Sequence, residues 1–194
     1  MEKVSYALGL SLGSNLKSNG LDGLDYKKLA KGIEDLMTGA QPEISIEEAQ
    51  AIINEYFQEL QNKAFQANIE EGKKFLAENA AREGVVTLES GLQYEVLTAG
   101  NGATPKATDT VKVHYHGTLL SGDVFDSSVR RGEPATFGVT QVIRGWVEAL
   151  QLMPVGSKWK LFIPSELAYG AQGAGQSIAP HTTLVFEVEL IDIV

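Results

Sequence analysis

The sequence has no cysteine among its 194 residues. That excludes disulfide staples, thiolate nucleophiles and cysteine-held metals, and it leaves the redox compartment unread. Long hydrophobic runs are missing too: no stretch approaches the ~20 apolar residues a membrane-spanning helix needs. Basic charge is scarce, 16 Lys and Arg against 25 Asp and Glu, for a formal net charge of −9, and both halves of the chain are acidic. Nucleic acid and anionic membranes are poor partners for such a surface. The opening Met-Glu-Lys-Val-Ser-Tyr-Ala-Leu-Gly-Leu has no basic segment followed by an apolar run. No signal peptide is read there, so the expected location is cytoplasmic, or periplasmic if a leader has been removed. What remains is an ordinary globular composition, 43% apolar and 21% charged, with length enough for one large domain or two small ones.

Periodicity changes near Gly84. Before it, apolar residues recur at helical spacing; after it, alternation and Gly/Pro punctuation take over. Val4, Leu8, Leu12 and Leu16 predict a first helix ending near Gly20. Asp25 is placed to cap a second helix, with Leu24 and Leu29 as a hydrophobic staple and Gly39 as the stop. After Pro42, Ser45-Ile46-Glu47-Glu48 has the capping-box pattern and opens a third helix over about 45–83, with Gly72 its one weak point. Two short helices cannot cover so long an apolar stripe. Either a second copy of the chain packs on it, or the segment is a monomeric hairpin with a solvated far half. Gly9 and Gly13, four apart, suit a close helix crossing.

The second half reads as strands. Gly91–Leu97 alternates, as does Val111–His116 with Val111, Val113 and Tyr115 on one face. Trp159, Leu161 and Ile163 share a face, and so do Leu184, Phe186, Val188 and Leu190, with Glu187 and Glu189 opposite. Antiparallel strands with one buried face give this pattern. One short helix interrupts around Gly145–Leu152. The expected class is α+β: an all-helical N-terminal segment with one very long helix, then a curved antiparallel sheet wrapped around a short helix.

Several residues stand out together: Tyr115 in Val-His-Tyr-His-Gly, Phe125-Asp126 in Val-Phe-Asp-Ser-Ser, Val142, Ile143 and Trp146 in Gln-Val-Ile-Arg-Gly-Trp, Ala168-Tyr169-Gly170, and Phe186 in the last strand. Taken singly, the aromatics read as sheet core, Tyr169 as a loop aromatic and Asp126 as a turn cap. In this order and spacing, residues 84–194 resemble FKBP-type peptidyl-prolyl cis/trans isomerases. The helical first half, residues 1–84, resembles the dimerisation module of the macrophage infectivity potentiator class of that family, leaving 85–194 as the isomerase domain. The resemblance implies acceleration of X–Pro rotation in peptides and unfolded proteins, assisting folding, with no cofactor and no metal. Among the implied site residues, Tyr115, Phe125, Asp126 and Tyr169 are catalytic. Arg131, Phe137, Val142, Ile143, Trp146, Ala168, Ile178 and Phe186 bind substrate, the backbone N–H of Ile143 donating to a carbonyl. Implied partners are proline-containing peptides, unfolded clients, a second copy through the N-terminal helices, and the macrolides tacrolimus or rapamycin.

Some positions depart from the family's drug-binding members. Ala135 stands where an aromatic wall residue is frequent, Gln141 where an acid is frequent, and Ala174 and Ser177 make the loop after Gly170 more polar and less bulky. These weaken the case for tight macrolide binding. A non-catalytic chaperone or peptide-binding module using the same apolar pocket is the alternative function. His114 and His116, two apart on one strand face, read as surface or structural histidines because no third ligand stands near in sequence. Gly170–Gly175 lacks the Lys-Ser/Thr of a phosphate loop and reads as a mobile loop over the pocket.

Overall fold

The computed structural model describes residues 1–194. They form two compact units, Met1–Tyr56 and Phe57–Val194.

The first unit holds helix α1 (Glu2–Ser18), helix α2 (Tyr26–Thr38) and the start of helix α3 (Ile46–Ala80). Its helix ends follow the sequence signals. The Asp25 carboxylate accepts from the N–H groups of Lys27 at 2.9 Å and Lys28 at 3.1 Å, and Gly39 closes α2 at φ 71°. The Ser45 hydroxyl oxygen accepts from the N–H of Glu48 at 3.1 Å. A cap of this kind contributes about 1 kcal/mol. The interior does not follow: α1 and α2 bury no apolar side chain, and Leu8 and Met37 are 66% and 80% exposed. The one buried residue of the pair is Asp35, held by Lys31 at 2.6 Å.

The second unit is built on a seven-stranded antiparallel sheet: β1 (Val85–Thr87), β2 (Gln93–Thr98), β3 (Thr110–Leu119), β4 (Val124–Ser127), β5 (Ala135–Gly138), β6 (Lys158–Ile163) and β7 (Leu184–Ile193). The strand order is β1-β2-β6-β7-β3-β4, with β5 paired to β3. Alternation along β3 and most of β7 sends Val111, Val113, Tyr115, Leu184, Phe186, Val188 and Leu190 into one core with Trp159, Leu161 and Ile163 of β6. Helix α5 (Arg144–Leu150) covers this face with Trp146, Ala149 and Leu150. Each large apolar side chain so buried favours folding by about 1.5–3 kcal/mol. A one-turn helix, α4 (Ser128–Arg131), was not anticipated, nor were the short strands β1, β4 and β5.

The end of α3 belongs to this second unit. The Phe75 ring packs tilted against Phe162 at a centroid distance of 5.8 Å, and buried Asn79 donates to Gln93 at 2.8 Å while accepting from Arg82 at 2.7 Å. Gly72 is not a weak point but a close approach: a Cβ there would lie 2.4 Å from the Thr183 hydroxyl oxygen. The helix stops at Ala80, and Gly84 turns the chain at φ 84°.

Candidate active site

Register builds the site. On β3, Gly117 lies opposite Phe186 of β7 on one side and Asp126 of β4 on the other. It has no room for a side chain, since a Cβ would sit 2.7 Å from ring carbons of both Phe125 and Phe186. Two residues earlier on the same face, Tyr115 points into the core. β5 brings Phe137 opposite Val111, and a 3₁₀ turn at Val139–Gln141 leads through Val142 and Ile143 into α5. Trp146 then stands in the first turn of that helix. Tyr169 arrives after a second 3₁₀ turn at Ser165–Leu167.

These elements enclose a cavity of about 470 Å³ lined by Tyr115, Phe125, Asp126, Phe137, Gln141, Val142, Ile143, Trp146, Tyr169 and Phe186. Trp146 meets Tyr115, Phe137 and Phe186 edge to face at centroid distances of 5.4, 6.0 and 5.3 Å, and Phe125 meets Phe186 the same way at 5.3 Å. Such pairs contribute about 0.5–1.5 kcal/mol each beyond the area they bury, so the walls are stiff.

A hydrogen-bonded polar cluster faces this mostly apolar space. The Tyr115 hydroxyl donates to Asp126 Oδ2 at 2.5 Å, Arg131 Nη1 donates to Asp126 Oδ1, and Arg131 Nη2 donates to the Tyr115 oxygen at 2.8 Å. Arg131 also lies over the Tyr115 ring at 5.5 Å. Burial pushes the Asp126 carboxyl up, but the bonds from Tyr115 and Arg131 outweigh it and hold it below the usual carboxylate range. Burial and the Asp126 bond raise the Tyr115 hydroxyl, so near neutrality the pair is an ionised carboxylate beside a neutral phenol. The cap of α4 is Ser127, whose oxygen accepts from the N–H of Arg130 at 3.1 Å; Asp126 is free for the pocket. Fully buried Ser128 accepts from the Tyr115 N–H at 2.7 Å and bonds the His114 ring at 3.0 Å, while His116 bonds Ser127 at 2.9 Å. The two histidines thus brace the turn that carries Asp126 and Arg131.

Nine of the twelve residues singled out from sequence line the cavity. Arg131 reaches it through Tyr115 and Asp126. Ala168 and Ile178 stand off the wall, packed on the core behind it. Gln141 is in the lining although the sequence marked it only as a departure, and Gly117 was missed. A glycine inside an alternating strand was the available signal for it.

Residues 101–191 match the family model described as FKBP-type peptidyl-prolyl cis-trans isomerase, and residues 1–96 match the domain amino-terminal to that isomerase. The FKBP-type 22 kDa peptidyl-prolyl cis-trans isomerase of Escherichia coli K12 is 52% identical over 194 residues, covering 98% of this chain and 94% of that protein. The chain belongs to the FKBP-type peptidyl-prolyl cis-trans isomerase family. The isomerase is also similar to the outer membrane protein MIP of Legionella longbeachae, 45% identical across 99% of this chain and 85% of that one. Its whole fold superposes on the crystal structure of FkpA from Escherichia coli with a TM-score of 0.81 at 39% identity, over 98% of this chain and 95% of the other. The isomerase has no helix long and apolar enough to cross a membrane.

Proposed function

We propose that the isomerase lowers the barrier to X–Pro rotation by taking the amide out of water and gripping its twisted form in the aromatic cavity. In this reading Tyr115, Phe125, Asp126 and Tyr169 act on the reacting amide. Arg131, Phe137, Val142, Ile143, Trp146, Ala168, Ile178 and Phe186 hold the substrate or the wall behind it. The observation that carries the reading is the make-up of the cavity: five aromatic rings in addition to the Tyr115 phenol, two branched aliphatics, and a single ionised carboxylate already engaged by Tyr115 and Arg131.

The physics is differential. Rotation breaks amide resonance against a barrier of ~18–20 kcal/mol. The twisted amide is less charge-separated than the planar one, so an apolar cavity favours it relative to water. Removing about 5 kcal/mol accelerates the step by nearly four decades. The Ile143 N–H, at the start of α5 where first-turn donors have no helical acceptor, anchors a substrate carbonyl.

Unfolded chains are the natural clients, because uncatalysed X–Pro rotation takes tens of seconds or more and limits folding. The exposed apolar faces of α1 and α2 fit a second copy of the chain, which would give one assembly two cavities and raise the effective concentration of the second for a client held by the first. Tacrolimus and rapamycin are competitors for the same cavity, weakened by Gln141 in its wall and by Ala174 and Ser177 in the loop beyond Gly170.

The deciding experiment is the cis-to-trans rate of a short Leu-Pro or Phe-Pro peptide with wild type, Asp126→Ala and Trp146→Leu. Acceleration that falls at least about tenfold in both folded variants, a loss of about 1.4 kcal/mol each, supports these roles. Unchanged rates in both would remove them from the site.

A further inference from the structure

The segment after the cavity loop is tied on two sides. On its own side, the His181 N–H donates to the Gly170 carbonyl at 2.8 Å, directly after Tyr169. Ala174 and Ile178 pair across the loop at 2.8 and 3.1 Å, and Gly173 has the Ile178 carbonyl oxygen 2.3 Å from where a Cβ would stand. His181 is the only residue other than glycine with positive φ, at 59°. That conformation is uncommon outside glycine, although histidine enters it more readily than most residues, so what packs around it counts.

The surroundings are α3. Asn68 Nδ2 donates to the Pro180 carbonyl at 2.8 Å, across 112 residues of chain. The Phe65 ring packs on the His181 ring at 5.9 Å. One helical turn beyond Asn68, Gly72 lets the helix touch buried Thr183, with no space for a Cβ beside its hydroxyl. Three residues on one face of the helix therefore hold Pro180, His181 and Thr183 in sequence. Tyr169 is 40% exposed, so packing alone does not fix it.

We propose that Phe65, Asn68 and Gly72 of α3 are positioning residues for the isomerase: they clamp Pro180–Thr183, whose His181 N–H holds Gly170 and thereby aims Tyr169 into the cavity. The long helix is then part of the catalytic apparatus as well as the carrier of the first unit. The inference rests on the reading of Tyr169 as a site residue, and the test separates the two.

The test is a double-mutant cycle on the full chain, read as kcat/KM for a short proline peptide. Asn68→Ala removes one hydrogen bond and is expected to lower kcat/KM about fivefold, with the fold retained by circular dichroism. In a Tyr169→Ala background the same substitution should cost less than about twofold, because there is no longer a ring to aim. An equal loss in both backgrounds overturns the positioning role. A Tyr169→Ala chain as active as wild type overturns the site reading beneath it. Gly72→Ala gives an independent arm: it crowds the Thr183 hydroxyl and should also lower kcat/KM about fivefold, whereas Gly72→Ala with Thr183→Ala leaves Thr183 Cβ 3.4 Å away and should recover to within about twofold. Full activity in folded Gly72→Ala, or no recovery in the pair, counts against the clamp.

Discussion

The two units of the chain solve the same problem differently. Residues 57–194 bury their apolar side chains among themselves: Leu92, Val111, Val113, Leu184, Val188 and Leu190 are fully buried in one cluster. Residues 1–56 have side-chain caps at the starts of α2 and α3 but almost nothing inside, with Leu8, Leu36 and Met37 mostly exposed. Local signals make helices, but tertiary burial is what stabilises them. The second unit carries its stability in its own core. The first has no comparable core, and the second copy proposed above would supply the apolar surface that its α1 and α2 lack.

The largest effect should come from truncating the two interiors in parallel. Leu190→Ala opens a void in a full core and should cost about 2–5 kcal/mol in denaturant unfolding at any protein concentration. Leu8→Ala should cost less than about 0.5 kcal/mol in dilute solution, as an exposed substitution does. Its effect should grow with concentration as association sets in, read by sedimentation beside the unfolding curve. Equal, concentration-independent losses would mean that the first unit has an interior of its own. Within the second unit, Gly117→Ala is the next largest. Its methyl must displace the Phe125 or Phe186 ring, so about 1–3 kcal/mol of stability and most of the peptide isomerase activity should go together. A stable, fully active Gly117→Ala chain would show that those rings yield freely.

Much of this was legible in the sequence, and for identifiable reasons. Asp25, Gly39 and Ser45 announce helix ends because capping is a local interaction of a few residues. β3, β6 and β7 announce themselves because six to ten residues are enough for alternation to show. β1, β4 and β5, with three or four residues each, are too short to display a period. The cavity's aromatics were found by their order along the chain, Tyr115 to Phe186, rather than by any property each has alone. What escaped was non-local. Gly72 reads as a flaw in a helix until Thr183 is brought against it, and nothing near Asn68 in sequence points to Pro180. The Gly170–Gly175 stretch reads as mobile by composition, yet backbone hydrogen bonds and the paired Ala174 and Ile178 cross-tie it.

The smallest effect is electrostatic. Asp126 is about half exposed, so its pair with Arg131 is expected to add only about 0.2–1 kcal/mol to folding. Its sign with pH is nonetheless fixed. The folded carboxyl lies below its unfolded value, so the contribution is full above the unfolded value of about 3.9 and disappears as pH falls through the folded one. Comparing wild type with Asp126→Asn by melting temperature should give a constant gap from pH 8 to about 5 that closes below about 4. Activity should separate from stability here. Asn cannot hold Arg131 and the Tyr115 hydroxyl as an ionised acceptor does, so the peptide rate of the variant should stay low at pH 7, where both chains are fully folded. A gap that persists at pH 3 would show that Asp126 stabilises through shape rather than charge, and would shift the weight of the polar cluster onto the direct bond between Arg131 and Tyr115.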